Sequence, residues 1–326
     1  MSSPPRSSRL VFAARFAVGI VLLVLVLIRV GLREPWRILS HATFGYLVAA
    51  IALYATMFLL KMLRWRTMLH CQKIAVSPLK ALDLYLFSSL FGAFTPGRVG
   101  EAVRAIVPAR EGKRYAESLA CTAVDKAFDV LLLAVLLVAA SRSALLSAGE
   151  SRALLWSGVA LVGIITFAYI ATRTAVRRGL RIAPAIARLL PGSWRPAIAD
   201  YPDRFAAAGL ACVRQAWLPG TVLTALFWVA HVGCHYLILQ SLGAGMDIWY
   251  FVLCLTLCGL VEFVPVTVCG LGTREYLLIF LFAKAGLGED VALAFALMNI
   301  IFTYALTGLF SLITRAVRVR IGNEDN

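Results

Sequence analysis

Apolar stretches of about twenty residues recur along this chain, the length a helix needs to cross the hydrocarbon core of a bilayer. Thr43 to Leu63, Ser118 to Ser141, Ala153 to Thr172, Leu218 to Leu242 and Val291 to Thr314 all fit that description. Phe16 to Ile28 is shorter and follows Arg6, Arg9 and Arg15, with no small-residue cleavage site after it. It reads as a retained first helix rather than a signal peptide. Hydrophobic residues make up 61% of the 326 and charged ones 15%, whereas soluble domains hold roughly 45–50% and 25%. One water-exposed core cannot hide that excess. A secreted enzyme, a nucleic-acid-binding domain and a disordered scaffold are therefore excluded. The expected fold class is an all-α integral membrane bundle, a single domain over residues 1–326.

The formal charge of +15 is explained by position. Lys and Arg gather between apolar runs, at Arg64 to Lys80, Arg104 to Arg114, Arg173 to Arg214 and Arg315 to Arg320, as positive-inside topology and anionic lipid surfaces require. No nucleic-acid partner is needed. The pattern predicts a multi-pass protein of the inner (cytoplasmic) membrane with both termini in the cytoplasm. Residues 173–217, basic and proline-containing, are expected to lie on the inner leaflet as an interfacial segment. The seven cysteines form no C-x-x-C pair and read as buried small hydrophobes.

Two apolar segments are broken in a related way. Leu79 to Ala93 runs into Phe94-Thr95-Pro96-Gly97-Arg98-Val99-Gly100-Glu101, with Arg104 beyond, and has basic residues on both flanks. Ile248 to Val264 runs into Pro265, Gly270-Leu271-Gly272 and Thr273-Arg274-Glu275. Each is expected to be a re-entrant hairpin, which a membrane tolerates only where protein or a wet cavity surrounds the open backbone. With about six full spans, the two hairpins predict an inverted repeat whose discontinuous helices meet near the midplane.

Charge inside such segments costs about 2.5–3.5 kcal/mol per residue and calls for a partner or a task. A half-helix N-terminus with arginines beside it suits a phosphate or other anion. Arg98, Arg104 and Arg274 are the candidate anion ligands, with Glu101, Glu275 and Asp129 balancing charge or meeting a basic group on the ligand. Pro96, Gly97, Gly100, Pro265, Gly270 and Gly272 are the structural breaks. The competing reading is that Glu101 pairs with Arg98 or Arg104, and Glu275 with Arg274, merely to neutralise charge. Asp125 and Asp129 share a helix face, with Lys126 adjacent. They counter the arginines of the breaks, or relay protons, or lie hydrated at the interface. His231 and His235 have the spacing of helical metal ligands, but packed or cavity-lining imidazoles suit their apolar surroundings better, and neither a metal nor a cofactor is expected. No G-x-S-x-G, H-E-x-x-H or P-loop pattern occurs, and the chain is not expected to be an enzyme.

Leu63-Arg64-Trp65-Arg66, Pro96-Gly97-Arg98-Val99-Gly100-Glu101-x-x-Arg104, Asp125-Lys126-x-x-Asp129 and Gly270-Leu271-Gly272-Thr273-Arg274-Glu275, in this order, resemble the flippase-like transmembrane domain of lysylphosphatidylglycerol synthases. The resemblance covers about Phe12 to Arg320. Asp125-Lys126 stands where that family usually has Glu-Arg, and Lys lacks the bidentate fork of Arg. The aminoacyl-transferase domain of the fused synthases has no counterpart in these residues. The resemblance thus implies translocation of a polar phospho- or polyprenyl-linked lipid with an anionic headgroup. Two other readings are a lipid-binding accessory subunit of an envelope-lipid or lipid-linked glycan enzyme, and an integral-membrane transferase acting on a polyprenyl-linked sugar. A homo-oligomer or such an enzyme is the expected protein partner.

Overall fold

A computed structural model describes Val21, Val24, Leu25 and residues 27–108, 114–143, 145–178, 200–263 and 272–324. All regular structure among them is helical: α1 (Arg33–Ser40), α2 (Phe44–Cys71), α3 (Pro78–Ala93), a 3-10 helix (Pro96–Ala105), α4 (Tyr115–Ala140), α5 (Ala148–Arg177), α6 (Tyr201–Ser241), α7 (Ile248–Phe263), α8 (Thr273–Lys284), α9 (Glu289–Ile300), a π-helical turn (Ile301–Leu306) and α10 (Thr307–Glu324). The fold is that of a helical membrane protein. Phe44–Cys71, Ala148–Arg177, Tyr201–Ser241 and Glu289–Arg320 are long and apolar enough to cross a bilayer. α4 has the length, but Asp125, Lys126 and Asp129 interrupt its middle.

The long helices α2 and α6 form the spine of the bundle. The Cys234 thiol donates to the Ala50 carbonyl at 3.3 Å, and the amide of Thr43, which precedes α2, bonds the carbonyl of Ser241 at the end of α6. α4 packs across both, and Gly220 on α6 makes this possible: a Cβ there would lie 2.8 Å from the ring of Phe128. α5 is peripheral, begun by a capping box of Ser147 and Glu150, and buries only Gly158. Its exposed Trp156, Ile164, Phe167 and Ile170 form an apolar surface that only lipid or protein can cover.

Two boundaries differ from the sequence expectation. Residues 179–199 lie outside the described residues, and so does any interfacial structure there. From Tyr201 onward the segment is not a separate surface helix; it is the first part of α6, which continues through Pro219 without ending. The second difference is at the first break, which continues as ten residues of 3-10 helix rather than an α-helical half. Pro265 and Gly270 of the second break fall outside the described residues.

The apolar interior is divided in two. One cluster holds Tyr54 and Met57 of α2, Leu133 and Leu137 of α4, and Phe227 and Trp228 of α6. The other holds Trp65 and Met68 of α2, Cys121 of α4, and Cys212 and Ala216 of α6. Between them on the same three helices lie Lys61 and Arg64, Asp125 and Asp129, and Thr224, so a polar layer crosses the core at one level.

Candidate functional site

Arg64 anchors that layer. It is 1% exposed and uses its guanidinium fork on three partners: Nε donates to Asp125 at 2.7 Å, Nη2 to Asp129 at 2.8 Å and Nη1 to the Thr224 hydroxyl at 2.7 Å. Asp125 also accepts from Arg104 at 2.6 Å and from the Tyr85 hydroxyl at 3.1 Å. Both aspartates are buried, so the hydrated, interfacial reading of them does not hold.

The first break delivers its charges into this layer because the chain folds back tightly. A Cβ on Gly92 would lie 2.5 Å from Glu101 Cγ, and one on Gly100 would lie 2.9 Å from the Phe91 carbonyl oxygen. Only hydrogen at these two positions lets the 3-10 helix lie against α3. Glu101, 3% exposed, then meets Lys126 at 2.6 Å, Arg98 at 2.7 Å and Arg104 at 3.4 Å. Arg98 adopts φ +57°, a left-handed conformation that costs a non-glycine residue of order 1–3 kcal/mol. In that conformation it pairs with Glu101 and, by a short contact, with Glu262 of α7.

Glu262 joins the two breaks. Its other oxygen lies 3.4 Å from Arg274 of α8, which also holds Glu275 at 3.0 Å. Glu275 reaches back to accept from the amide of Gly272 at 2.6 Å, and so caps the helix it belongs to. Gly272 has φ +78°, open to glycine and costly for most other residues.

All six candidate residues, Arg98, Glu101, Arg104, Asp129, Arg274 and Glu275, therefore belong to one connected network. The pairing of Arg98 and Arg104 with Glu101, and of Arg274 with Glu275, is present, and each cluster is tied to the other as well. Glu262, Arg64 and Lys61 complete it and were not among the sequence candidates. Two of them had a signal, since Lys61 and Glu262 are isolated charges inside apolar runs.

A cavity of about 190 Å³ opens on this network. Lys61, Arg98, Lys126 and Arg274 face Glu101, Asp129 and Glu262 around it, and Phe227, Trp228 and His231 form an apolar and aromatic side. The Trp228 Nε1 and His231 Nδ1 atoms are buried there without a hydrogen-bond partner. His235 Nδ1 sits 2.8 Å from the His231 carbonyl oxygen, and the two imidazole rings are 4.2 Å apart. No group of three metal-ligating side chains occurs among the described residues. Asn299 and Thr303 also line the cavity, beside the π-helical turn that begins at Ile301. Such turns are a frequent device for re-aiming side chains at functional sites.

The sequence model of the lysylphosphatidylglycerol synthase TM region matches residues 12–311. The chain belongs to that family. Among curated proteins it is similar to a UPF0104 membrane protein of Methanothermobacter thermautotrophicus, at 25% identity over 94% of this chain and 93% of the relative. It is also similar to a UPF0104 membrane protein of Pyrococcus horikoshii, at 22% identity over 88% and 91% of the two chains. These relatives are free-standing members of comparable length. No solved structure matches the chain.

Proposed function

We propose that this family member binds the phosphate of a polar lipid in the central cavity and carries the headgroup across the membrane. The charge balance of the network carries this reading. Lys61, Arg64, Arg98, Arg104, Lys126 and Arg274 are six cations, and Glu101, Asp125, Asp129, Glu262 and Glu275 are five carboxylates. Among the described residues, one formal positive charge remains at a site lined by Arg and Lys. A buried net charge is expensive, and a monoanionic phosphodiester would neutralise it through charge-assisted hydrogen bonds. The volume supports a headgroup rather than a whole lipid, being below the roughly 300–1,000 Å³ of sites that enclose drug-sized ligands. Acyl or prenyl tails would stay in the bilayer.

The element order supports the inverted repeat as part of the same proposal. A long helix, a broken pair and a further long helix occur as α2, α3 with the 3-10 helix, and α4. They recur as α6, α7 with α8, and α9 through α10. Arg98 and Arg274 stand at equivalent breaks and share Glu262, so rocking of one unit against the other would exchange their partners. The basic flanks support a topology with both termini on the cytoplasmic face of the inner membrane.

Dye-quenched lipid scrambling in proteoliposomes tests the function. Arg98→Ala and Arg274→Ala are expected to lose translocation while the protein still inserts. Arg→Lys should recover part of it, because charge is kept and the planar fork is lost. Arg98→Ala/Glu101→Ala and Arg274→Ala/Glu275→Ala should regain folding but not transport. Transport regained in those doubles would mean that the arginines serve the carboxylates alone. Absence of transport by the unmodified protein, with restoration by an envelope-lipid enzyme, would favour the accessory-subunit role.

A further inference from the structure

The aromatic side of the central cavity holds two polar atoms left unsatisfied among the described residues. Trp228 lines the cavity and is 8% exposed, yet its Nε1–H is buried without an acceptor. An indole N–H can only donate. His231, about one turn further along α6, has a buried Nδ1 without a partner, and the two rings lie 4.9 Å apart. Their neighbours on the same wall differ. His235 Nδ1 sits 2.8 Å from the His231 carbonyl oxygen, and Asn299 Nδ2 donates to the Phe295 carbonyl at 2.8 Å. A buried polar group without a partner is costly, and native interiors seldom hold one. Two of them side by side on a cavity wall call for an occupant.

The charged side limits what that occupant carries. Glu101 already meets Lys126, Arg98 and Arg104, Asp129 meets Lys61 and Arg64, and Glu262 meets Arg98 and Arg274. An ammonium on the ligand would compete with these cations, and it has no lone pair with which to accept from Trp228. A hydroxyl meets both needs. Its oxygen accepts the indole N–H, and the same group donates to, or accepts from, the imidazole nitrogen. The rings of Phe227 and Trp228 give its carbon skeleton an apolar wall. Building on the phosphate reading above, we propose that Trp228 and His231 bind the hydroxyls of a polyol or sugar attached to that phosphate. The charged side holds the phosphate and the aromatic side reads what the phosphate carries. Hydroxylated headgroups are thereby selected over plain alkyl or amine ones.

The test uses the full chain in a neutral detergent, with lipid binding read by native mass spectrometry. Phosphatidylglycerol and phosphatidylpropanol share a singly charged phosphate and a three-carbon headgroup, and differ in two hydroxyls. The unmodified protein is expected to bind phosphatidylglycerol about tenfold more tightly, the scale of one or two hydrogen bonds to groups otherwise left unpaired. Trp228→Phe keeps an aromatic ring, gives up no hydrogen bond of the protein's own and should fold; His231→Phe probes the second atom separately. Both are expected to weaken phosphatidylglycerol by about fivefold or more and to leave phosphatidylpropanol within about twofold. Loss of the preference in one variant alone supports the site with that residue as its hydroxyl contact. Arg98→Gln should weaken both lipids alike. Phosphatidylglycerol binding that is indifferent to Arg98→Gln but still falls in Trp228→Phe would overturn the phosphate reading and leave the hydroxyl contact standing. Equal binding of the two lipids by the unmodified protein, a preference retained in both variants, or an equal loss of both lipids in both variants would overturn the proposal.

Discussion

Arg64→Ala is the substitution whose effect follows most directly from the geometry. The guanidinium is 1% exposed and bonds Asp125, Asp129 and Thr224 within 2.8 Å. Its removal leaves two buried carboxylates short of a donor. Breaking a buried ion pair from one side costs about 3–5 kcal/mol, because the remaining charge is uncompensated. Two features hold the cost inside that range rather than doubling it. Asp125 keeps Arg104 and Tyr85, at 2.6 and 3.1 Å, and Asp129 keeps Lys61 at 3.2 Å. An unfolding entropy of about 2.1 cal/mol/K per residue over the chain gives about 0.7 kcal/mol/K, so Tm should fall by about 4–7 °C. Arg64→Lys should fall by less than the Ala variant but not match wild type, since one ammonium cannot reproduce the three-way fork. Adding Asp125→Asn to Arg64→Ala should return part of the loss. Tm followed by size-exclusion chromatography with fluorescence detection reads all three. An Arg64→Ala protein within about 1 °C of wild type would refute the reasoning, because it would mean that water already solvates these carboxylates.

Gly92→Ala should destabilise by about 1–3 kcal/mol through overpacking against Glu101, although in an open helix the same change would gain about 1 kcal/mol; a rise in Tm would show that the 3-10 segment gives way freely. Gly220→Ala should cost a similar amount, because its Cβ meets the Phe128 ring at 2.8 Å, and Phe128→Leu in the same chain should restore Tm. Arg204→Ala should matter little, at about 0–1 kcal/mol, since its side chain is 50% exposed beside Glu117; a Tm drop as large as that of Arg64→Ala would contradict the contrast drawn between surface and interior pairs.

The helical membrane class and the first break were legible in the sequence because lipid imposes a length and a hydropathy that few other environments share. Arg98, Glu101, Arg274 and Glu275 could be singled out because charge beside a Pro-Gly break has a cost visible in one dimension. The joining of the breaks through Glu262, and of α2 to α4 through Arg64, was not legible. Those pairs lie 164 and 61 positions apart, and nothing local chooses among distant partners of opposite sign. The 3-10 form of Pro96–Ala105 was also missed. It follows from the close approach to α3 at Gly92, a tertiary contact that overrides local preference. The unbroken course of α6 through Pro219 shows the same limit: proline signals a helix boundary, but packing against α2 and α4 carries the helix past it.

The polar layer has a consequence for how the chain is made. Asp125, Lys126 and Asp129 on α4 would together add several kcal/mol to the cost of placing that helix alone in a bilayer, at about 2.5–3.5 kcal/mol each near the centre. Lys61 and Arg64, which pair with the two aspartates, lie on α2, which leaves the ribosome first, and Lys126 pairs with Glu101 of the 3-10 helix. α4 thus depends on a helix already waiting for it at the translocon. A lesion at Arg64 would then be felt during synthesis, as a misinserted α4 presented to quality-control proteases, before any finished protein existed to be unstable.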